Sequence, residues 1–348
     1  MNKRWYHARA SFRHLSIGRP FFHLHHKILL GGVFMKFTVL GSGAMGYRYG
    51  VLLQEAGNEV EFVDTWKPNV EAVKKQNGVF VSRDHKNRQL TPIKMFYPEE
   101  YTGNPDVWVV FAKQMQLESL LQRIAPKFNE NQYVLTCMNG MGHVEKLLNY
   151  FKPEKLIAGT ALVATVLNGP GDVDFIGARG AGTMNLANYT EKPDELTHKI
   201  VTELEKAQFN PTLTTNFLGT LMAKVVFNSV VNTLCTLFEI TMGEFASYPG
   251  ADELSRQLIN EAYDICERAN ITMINSRQEE LNSVNYVSKV ANPLHYPSMY
   301  QDMSHNRPTE VDYINGYLVD LGRKYRYEAS THAFLTHLVH LAEHTRHH

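Results

Sequence analysis

Gly41-Ser42-Gly43-Ala44-Met45-Gly46 constrains this chain more than any other stretch. It lies between a short β-rich run, Lys36-Phe37-Thr38-Val39-Leu40, and a helical stretch that continues to Ala56 and stops at Gly57. Strand, glycine turn and helix in that order are what a dinucleotide-binding fingerprint requires. Gly41 permits the tight turn, Gly43 lets the backbone approach a pyrophosphate, and Gly46 lets the helix pack closely on the strand. The phosphates would then sit over the helix amino terminus, where free N–H groups and the helix dipole favour negative charge. Ser42, Ala44 and Met45 complete the expected cofactor-binding turn.

The surrounding pattern supports the fingerprint. A second strand, Glu59-Val60-Glu61-Phe62-Val63, ends at Asp64, close to the spacing expected for the acid that binds the adenosine ribose. Further β-rich runs follow at 107–111, 133–136, 156–161, 172–176 and 183–187, with helical stretches between several of them and a helix near 194–207. The alternation predicts an α/β Rossmann fold, a doubly wound, mainly parallel sheet with helices on both faces. After Pro211 the pattern becomes long and helical, so an all-helical second domain is expected. The boundaries read as 35–213 for the dinucleotide-binding domain and 214–348 for the helical one.

The first helix of that second domain runs through Leu218-Gly219-Thr220-Leu221-Met222-Ala223-Lys224-Val225-Val226-Phe227-Asn228-Ser229-Val230-Val231-Asn232. Lys224, Asn228 and Asn232 are four apart and stack along one side of the helix, in surroundings that are otherwise apolar. A helix apolar on most sides is buried, and burying an ammonium and two amides is costly unless they meet partners or line a wet site. One reading has them cap neighbouring backbone. The other has them face a polar small molecule: Lys offers charge and a donor, and Asn offers both donor and acceptor. Further on, Pro308 or Thr309 is expected to open a helix with Glu310 in its first turn, an ordinary place for an acid.

Composition narrows the function classes. Residues 1–34 hold six Lys/Arg and no acid, so the remaining 29 bases face 35 acids and the body of the chain is mildly acidic at −6. That balance makes nucleic acid an unsuitable partner. No segment approaches the roughly 20 consecutive apolar residues of a membrane span, so no membrane role is expected. The Arg-rich stretch before Met35 reads either as a transit peptide or, in preference, as translated upstream sequence, since Gly31-Gly32 codons can spell a ribosome-binding site just ahead of a Met35 start. Cys137, Cys235 and Cys266 lack metal or redox spacing and fit a reducing, cytoplasmic setting as packing residues. His340-Leu341-Ala342-Glu343-His344 matches the HxxEH zinc-protease pattern, but lies too near the chain end for a third ligand to follow, so no metal is expected. His347-His348 reads as a solvated pair.

Taken together, GSGAMG, the CMNGMG segment around Asn139, KVVFNSVVN, and PSMYQD followed by TEVDYING resemble the ketopantoate reductase family (2-dehydropantoate 2-reductases) in order and spacing over residues 35–348. The resemblance implies a Rossmann domain followed by a helical domain, with the active site in the cleft between them. It implies reduction of a small 2-oxo acid to a 2-hydroxy acid, with ketopantoate as the family substrate. Lys224 falls at the family's catalytic lysine, and Glu310 at a glutamate that contacts cofactor and substrate. Asn228, Asn232 and Ser298 fall at substrate-binding positions, Asn139 at the cofactor–substrate junction, and Lys113 and Thr165 at further cofactor contacts.

The pattern departs from the family after the second strand, where an Arg that pairs with the 2′-phosphate of NADP is replaced by Asp64-Thr65-Trp66. A carboxylate there accepts ribose hydroxyls and repels a phosphate, so NAD(H) is favoured; NADP(H) is the family norm, and Lys67 leaves it open. The DTWKP and KQMQ segments look more like the family's D-2-hydroxyacid dehydrogenase branch, which accepts branched or aromatic 2-oxo acids. A rival of another class is a non-enzymatic NAD(P) sensor, against which the buried Lys224 argues. Oligomeric state is left open, with a homodimer among the readings.

Overall fold

Val39 and Leu40 have no exposed surface, because their strand lies in the middle of the principal sheet. The computed structural model describes residues 34–180 and 182–346. The two origins considered for residues 1–34 therefore concern, Phe34 apart, residues outside that range, as does the His347-His348 pair. The first elements are β1 (Lys36–Leu40), α1 (Ala44–Glu55), β2 (Glu59–Val63), α2 (Lys67–Gln76), β3 (Val79–Arg83), β4 (Lys86–Thr91), β5 (Lys94–Phe96), β6 (Val107–Val110) and α3 (Gln114–Ile124). There follow β7 (Tyr133–Thr136), α4 (His143–Leu147), β8 (Leu156–Leu162), β9 (Ala164–Gly169), β10 (Asp172–Ile176), β11 (Thr183–Asn188), α5 (Glu195–Lys206) and β12 (Pro211–Thr214).

Eight strands form one sheet in the order β12-β11-β8-β7-β6-β1-β2-β5, parallel at every pairing except β11 with β8. The expected mainly parallel, doubly wound sheet is present. From β1 the chain goes to β2 on one side and returns to β6 on the other, so strand order reverses beside β1. A crevice opens outside the carboxyl ends of the strands at such a switch point. Gly41, Asp64, the residues after Val110 and those after Thr136 all leave the sheet there.

The sequence did not reveal a second sheet, ordered β4-β3-β10-β9, nor strands β5 and β12. Asp84 and His85 join β3 to β4 as a two-residue hairpin, both with positive φ (51° and 62°). That is the twist-compatible turn usually signalled by Asn-Gly or Asp-Gly, and without a glycine the hairpin carried no visible mark.

After β12 every described element is helical: α6 (Phe217–Phe238), α7 (Met242–Ser247), α8 (Ala251–Arg268), α9 (Arg277–Tyr286), α10 (Ser298–Ser304), α11 (Asn315–Lys324) and α12 (Ser330–Arg346). Asn216 caps α6, its side chain accepting from Gly219 N at 2.8 Å, and the helix ends at Glu239 in the left-handed region. The expectation that no segment approaches a membrane span needs correction: α6 has the length and composition of one. In the fold, 78% of that apolar window is buried. Met222, Val226 and Val230 of α6 share one apolar cluster with Trp108, Val134 and Ala158 of the sheet, while α1 and α5 line the sheet's other face. This packing sets the side of α6 that carries Lys224 beside β8.

Candidate active site

The glycine turn is a rigid seat built mostly from backbone. Gly41 has φ +90°, and a Cβ there would lie 2.7 Å from Ala112 N; a Cβ on Gly46 would lie 2.0 Å from Gly41 O. Gly43, by contrast, faces open space, with nothing within 4 Å of its would-be Cβ. It is also the amino-terminal cap of α1, with no side-chain capping bond and no acid in the first turn. The first N–H groups of α1 are thus left for an anion, and the turn fits a dinucleotide pyrophosphate. Ala44 and Met45 begin the helix and are partly buried.

Two side chains lock this turn. Asp64 accepts from Ser42 N at 2.6 Å through one oxygen and from Trp66 N at 2.9 Å through the other. Asn69, fully buried, donates to Ser42 O at 3.2 Å and accepts from Tyr47 Oη (2.7 Å) and Gly171 N (2.8 Å). Asp64 therefore has a structural task besides the one expected of it, and each oxygen keeps acceptor capacity for a ribose hydroxyl. Lys67 is largely exposed and lies 3.6 Å from Glu71.

Facing the carboxyl ends of β7 and β8 is the polar stripe of α6. The Lys224 ammonium donates to Ala161 O at 2.7 Å, and the residue as a whole is partly buried. Burial lowers its pKa below the ordinary lysine value, with the Cys137 thiol opposing the shift. Asn228 donates to Asn139 Oδ1 at 3.5 Å, and Asn139 donates to Ser298 Oγ at 3.4 Å. Three residues widely separated in sequence thus meet. Their bonds are at the long limit for amide pairing, and the side chain of Asn232, 6% exposed, has no partner among the described residues. These groups are under-paired and able to take a polar ligand.

Glu310 sits at the other end of the cleft. It was expected in the first turn of a helix; instead it precedes a single 3₁₀ turn, Val311–Tyr313, and α11 opens only at Asn315. Its carboxylate reaches the sheet half, accepting from Gln114 N, the first residue of α3, at 3.2 Å and lying 3.5 Å from Lys113 Nζ. Lys113 also pairs with Asp302 at 2.5 Å, and Asp302 with Arg307 at 3.1 Å. Burial works against the charge of Lys113, but Glu310 and Asp302 outweigh it and hold its pKa above the ordinary value. Thr165 lies at the start of β9 and accepts from Arg48 of α1 at 3.4 Å.

Residues 37–191 match the family described as Ketopantoate reductase PanE/ApbA, and residues 216–343 match its carboxyl-terminal domain. The chain belongs to the ketopantoate reductase family. It is 31% identical over 311 residues to the 2-dehydropantoate 2-reductase of Streptococcus pyogenes, covering 89% of this chain and 98% of the relative. It is 30% identical over 317 residues to that of Lactococcus lactis, with the same coverage. Among solved structures, D-mandelate dehydrogenase in complex with NADH and anilino(oxo)acetate superposes with a TM-score of 0.84 at 29% identity, covering 89% of this chain and 99% of that one.

Within this ketopantoate reductase relative, several residues shape the site without having stood out in the sequence. Gln114 donates from Nε2 to Asn139 O at 3.0 Å, bonds His143 Nδ1 at 3.1 Å, and accepts from Lys146 Nζ through its backbone carbonyl at 3.0 Å. It ties the Asn139 loop to the strand end that meets Glu310. His143 beside it is driven down to about 4 by burial. Asp302 and Asn69 are the other two. Asp302 lies inside the PSMYQD segment, so its motif carried a signal; Gln114 and Asn69 carried none beyond their place after strands β6 and β2. The three cysteines are buried and unpaired, as packing residues would be.

Proposed function

We propose that this ketopantoate reductase family member reduces a bulky 2-oxo acid to the 2-hydroxy acid with a nicotinamide cofactor, in the cleft between residues 35–213 and the helices of residues 214–348. The observation that carries the reading is the loosely bonded meeting of Asn228, Asn139 and Ser298, with Lys224 and Asn232 one helical turn either side of Asn228 on α6, in a fold whose glycine turn is open at Gly43. A non-enzymatic sensor needs no such set of donors opposite the cofactor seat.

The Gly41–Gly46 turn holds the pyrophosphate, while Lys113, Asn139, Thr165 and Glu310 are the further cofactor contacts. When bound, the nicotinamide supplies the hydride to C2 of the 2-oxo acid. Asn228, Asn232 and Ser298 orient the acid. Lys224 neutralises the charge that develops on the carbonyl oxygen and gives it a proton, a task suited by an ammonium whose burial already eases proton release. Ala161 O fixes where that ammonium sits.

Asp64 leads us to propose NAD(H) as the preferred cofactor. The same residue, with the likeness to D-mandelate dehydrogenase, favours a second reading, in which branched or aromatic 2-oxo acids rather than ketopantoate are the substrates. A cytoplasmic homodimer completes the proposal. The test is oxidation of NADH and of NADPH on adding ketopantoate, 2-oxoisocaproate or phenylpyruvate. Turnover of at least one acid, faster with NADH, is expected; no turnover of any would end the oxidoreductase reading.

A further inference from the structure

The HxxEH motif on α12 closes on the segment that carries Glu310. Glu343 accepts the Thr309 N–H at 2.7 Å through one oxygen and bonds His340 Nδ1 at 2.9 Å through the other. His340 Nε2 in turn lies 2.8 Å from Asp312 Oδ1. Glu343 and His340 thus hold the residues immediately before and two after Glu310. Elsewhere the segment is held by Val311, fully buried beside Met299, Met303 and Val339, and by Tyr313 O, which accepts from Met141 N at 2.9 Å, but the backbone N–H just before Glu310 is met by Glu343. The segment's only regular structure is the 3₁₀ turn Val311–Tyr313, joined to Glu310 by the Tyr313 N to Glu310 O bond at 3.0 Å.

The chemistry of this cluster leaves no lone pair of His340 for a metal. Both ring nitrogens face carboxylate oxygens, and only the imidazolium, a donor at each nitrogen, serves both. A charge-assisted bond from a carboxylate to a backbone N–H is among the stronger hydrogen bonds a protein makes. Thr309 is 5% exposed, so its N–H would be stranded without Glu343.

We infer that Glu343, oriented by His340, is a positioning residue that fixes Glu310 against Lys113 and the amino terminus of α3. This rests on the role proposed above for Glu310, so the test reads the segment itself as well as turnover. Backbone hydrogen exchange of peptides spanning Arg307–Tyr313 is measured in wild type, Glu343→Ala, Glu343→Gln and His340→Ala, alongside kcat and KM with NADH and the best 2-oxo acid.

Glu343→Ala is expected to speed exchange in that segment alone and to raise both KM values roughly 10-fold, the size of one lost charge-assisted bond, with kcat changed less because Lys224 is untouched. Glu343→Gln recovers most of both, since its amide oxygen accepts from Thr309 and its NH2 donates to neutral His340. His340→Ala, the milder lesion should Glu343→Ala fail to fold, shows the same pattern at roughly threefold. Unchanged exchange at Arg307–Tyr313, or equal KM values across the variants, would overturn the inference. An inactive wild type whose exchange responds as described would overturn the oxidoreductase reading and support the clamp.

Discussion

The glycine turn and the α6 cleft are both polar sites at the carboxyl ends of the same sheet, yet they are built in opposite ways. The turn is made of backbone and held by a connected set of bonds of 2.6–3.2 Å through Asp64, Asn69 and Tyr47. The cleft is made of side chains from distant segments, and apart from Lys224, held 2.7 Å from Ala161 O, they are joined at 3.4–3.5 Å or not at all. A seat for phosphates can be complete beforehand, because helix N–H groups have no other partner to lose. A site that must grip a small acid and release its product keeps its amides under-paired, and this contrast predicts different responses to substitution.

The largest effect is expected at Lys224. Lys224→Met keeps the apolar stem and removes the charge, so turnover should fall about 10²- to 10⁴-fold while NADH affinity, measured by fluorescence titration, stays nearly constant. A comparable loss of NADH affinity would mean that cleft and turn are not separable. Next come the glycines. Gly46→Ala forces a Cβ into Gly41 O, and overpacking of this kind should lower the melting temperature and weaken NADH binding by roughly 10-fold or more. Gly43→Ala should weaken NADH binding while leaving the melting temperature in place, since its Cβ meets only open space. Equal melting temperatures for the two variants would contradict the description of the turn.

Asp64→Ala should narrow the preference for NADH over NADPH by about tenfold in kcat/KM. It should also weaken both cofactors, because Ser42 N and Trp66 N lose their acceptor. The smallest effect is expected for Asn232→Ala. With no partner to strand, it should shift the melting temperature by no more than about 2 °C, yet raise KM for the 2-oxo acid roughly threefold. A marked fall in stability would show Asn232 to be a core residue.

Much of this was visible in the sequence where function and local pattern coincide. The turn could be read because strand, glycine spacing and helix are contiguous, and α6 because a lysine and two asparagines at helical spacing are conspicuous among apolar neighbours. Asn139 and Ser298 came into view only through the family resemblance, since nothing local says that they meet. Other features depend on tertiary structure that leaves no periodic trace. The β3–β4 hairpin turns on Asp84-His85 without a glycine, and Glu310 sits before a 3₁₀ turn rather than in a helix. Gln114 matters through its contacts with loops 25 and 196 residues away in sequence. That α6 has the length and apolarity of a span was missed for a related reason: both serve its contacts with the sheet and the other helices.

The central claim is that Lys224 delivers the proton, and the pH dependence of kcat tests it most directly. Burial lowers the lysine pKa and the reaction needs the ammonium form, so wild-type kcat should be level at lower pH. It should decline as pH rises through an apparent pKa below the ordinary lysine value of 10.5. In Lys224→Arg, which cannot be deprotonated in this range, that decline should disappear along with most of the activity. A wild-type kcat that stays flat to about pH 10, or Lys224→Arg and Lys224→Met enzymes that keep the wild-type alkaline limb and turn over within about threefold of wild type, would contradict the assignment.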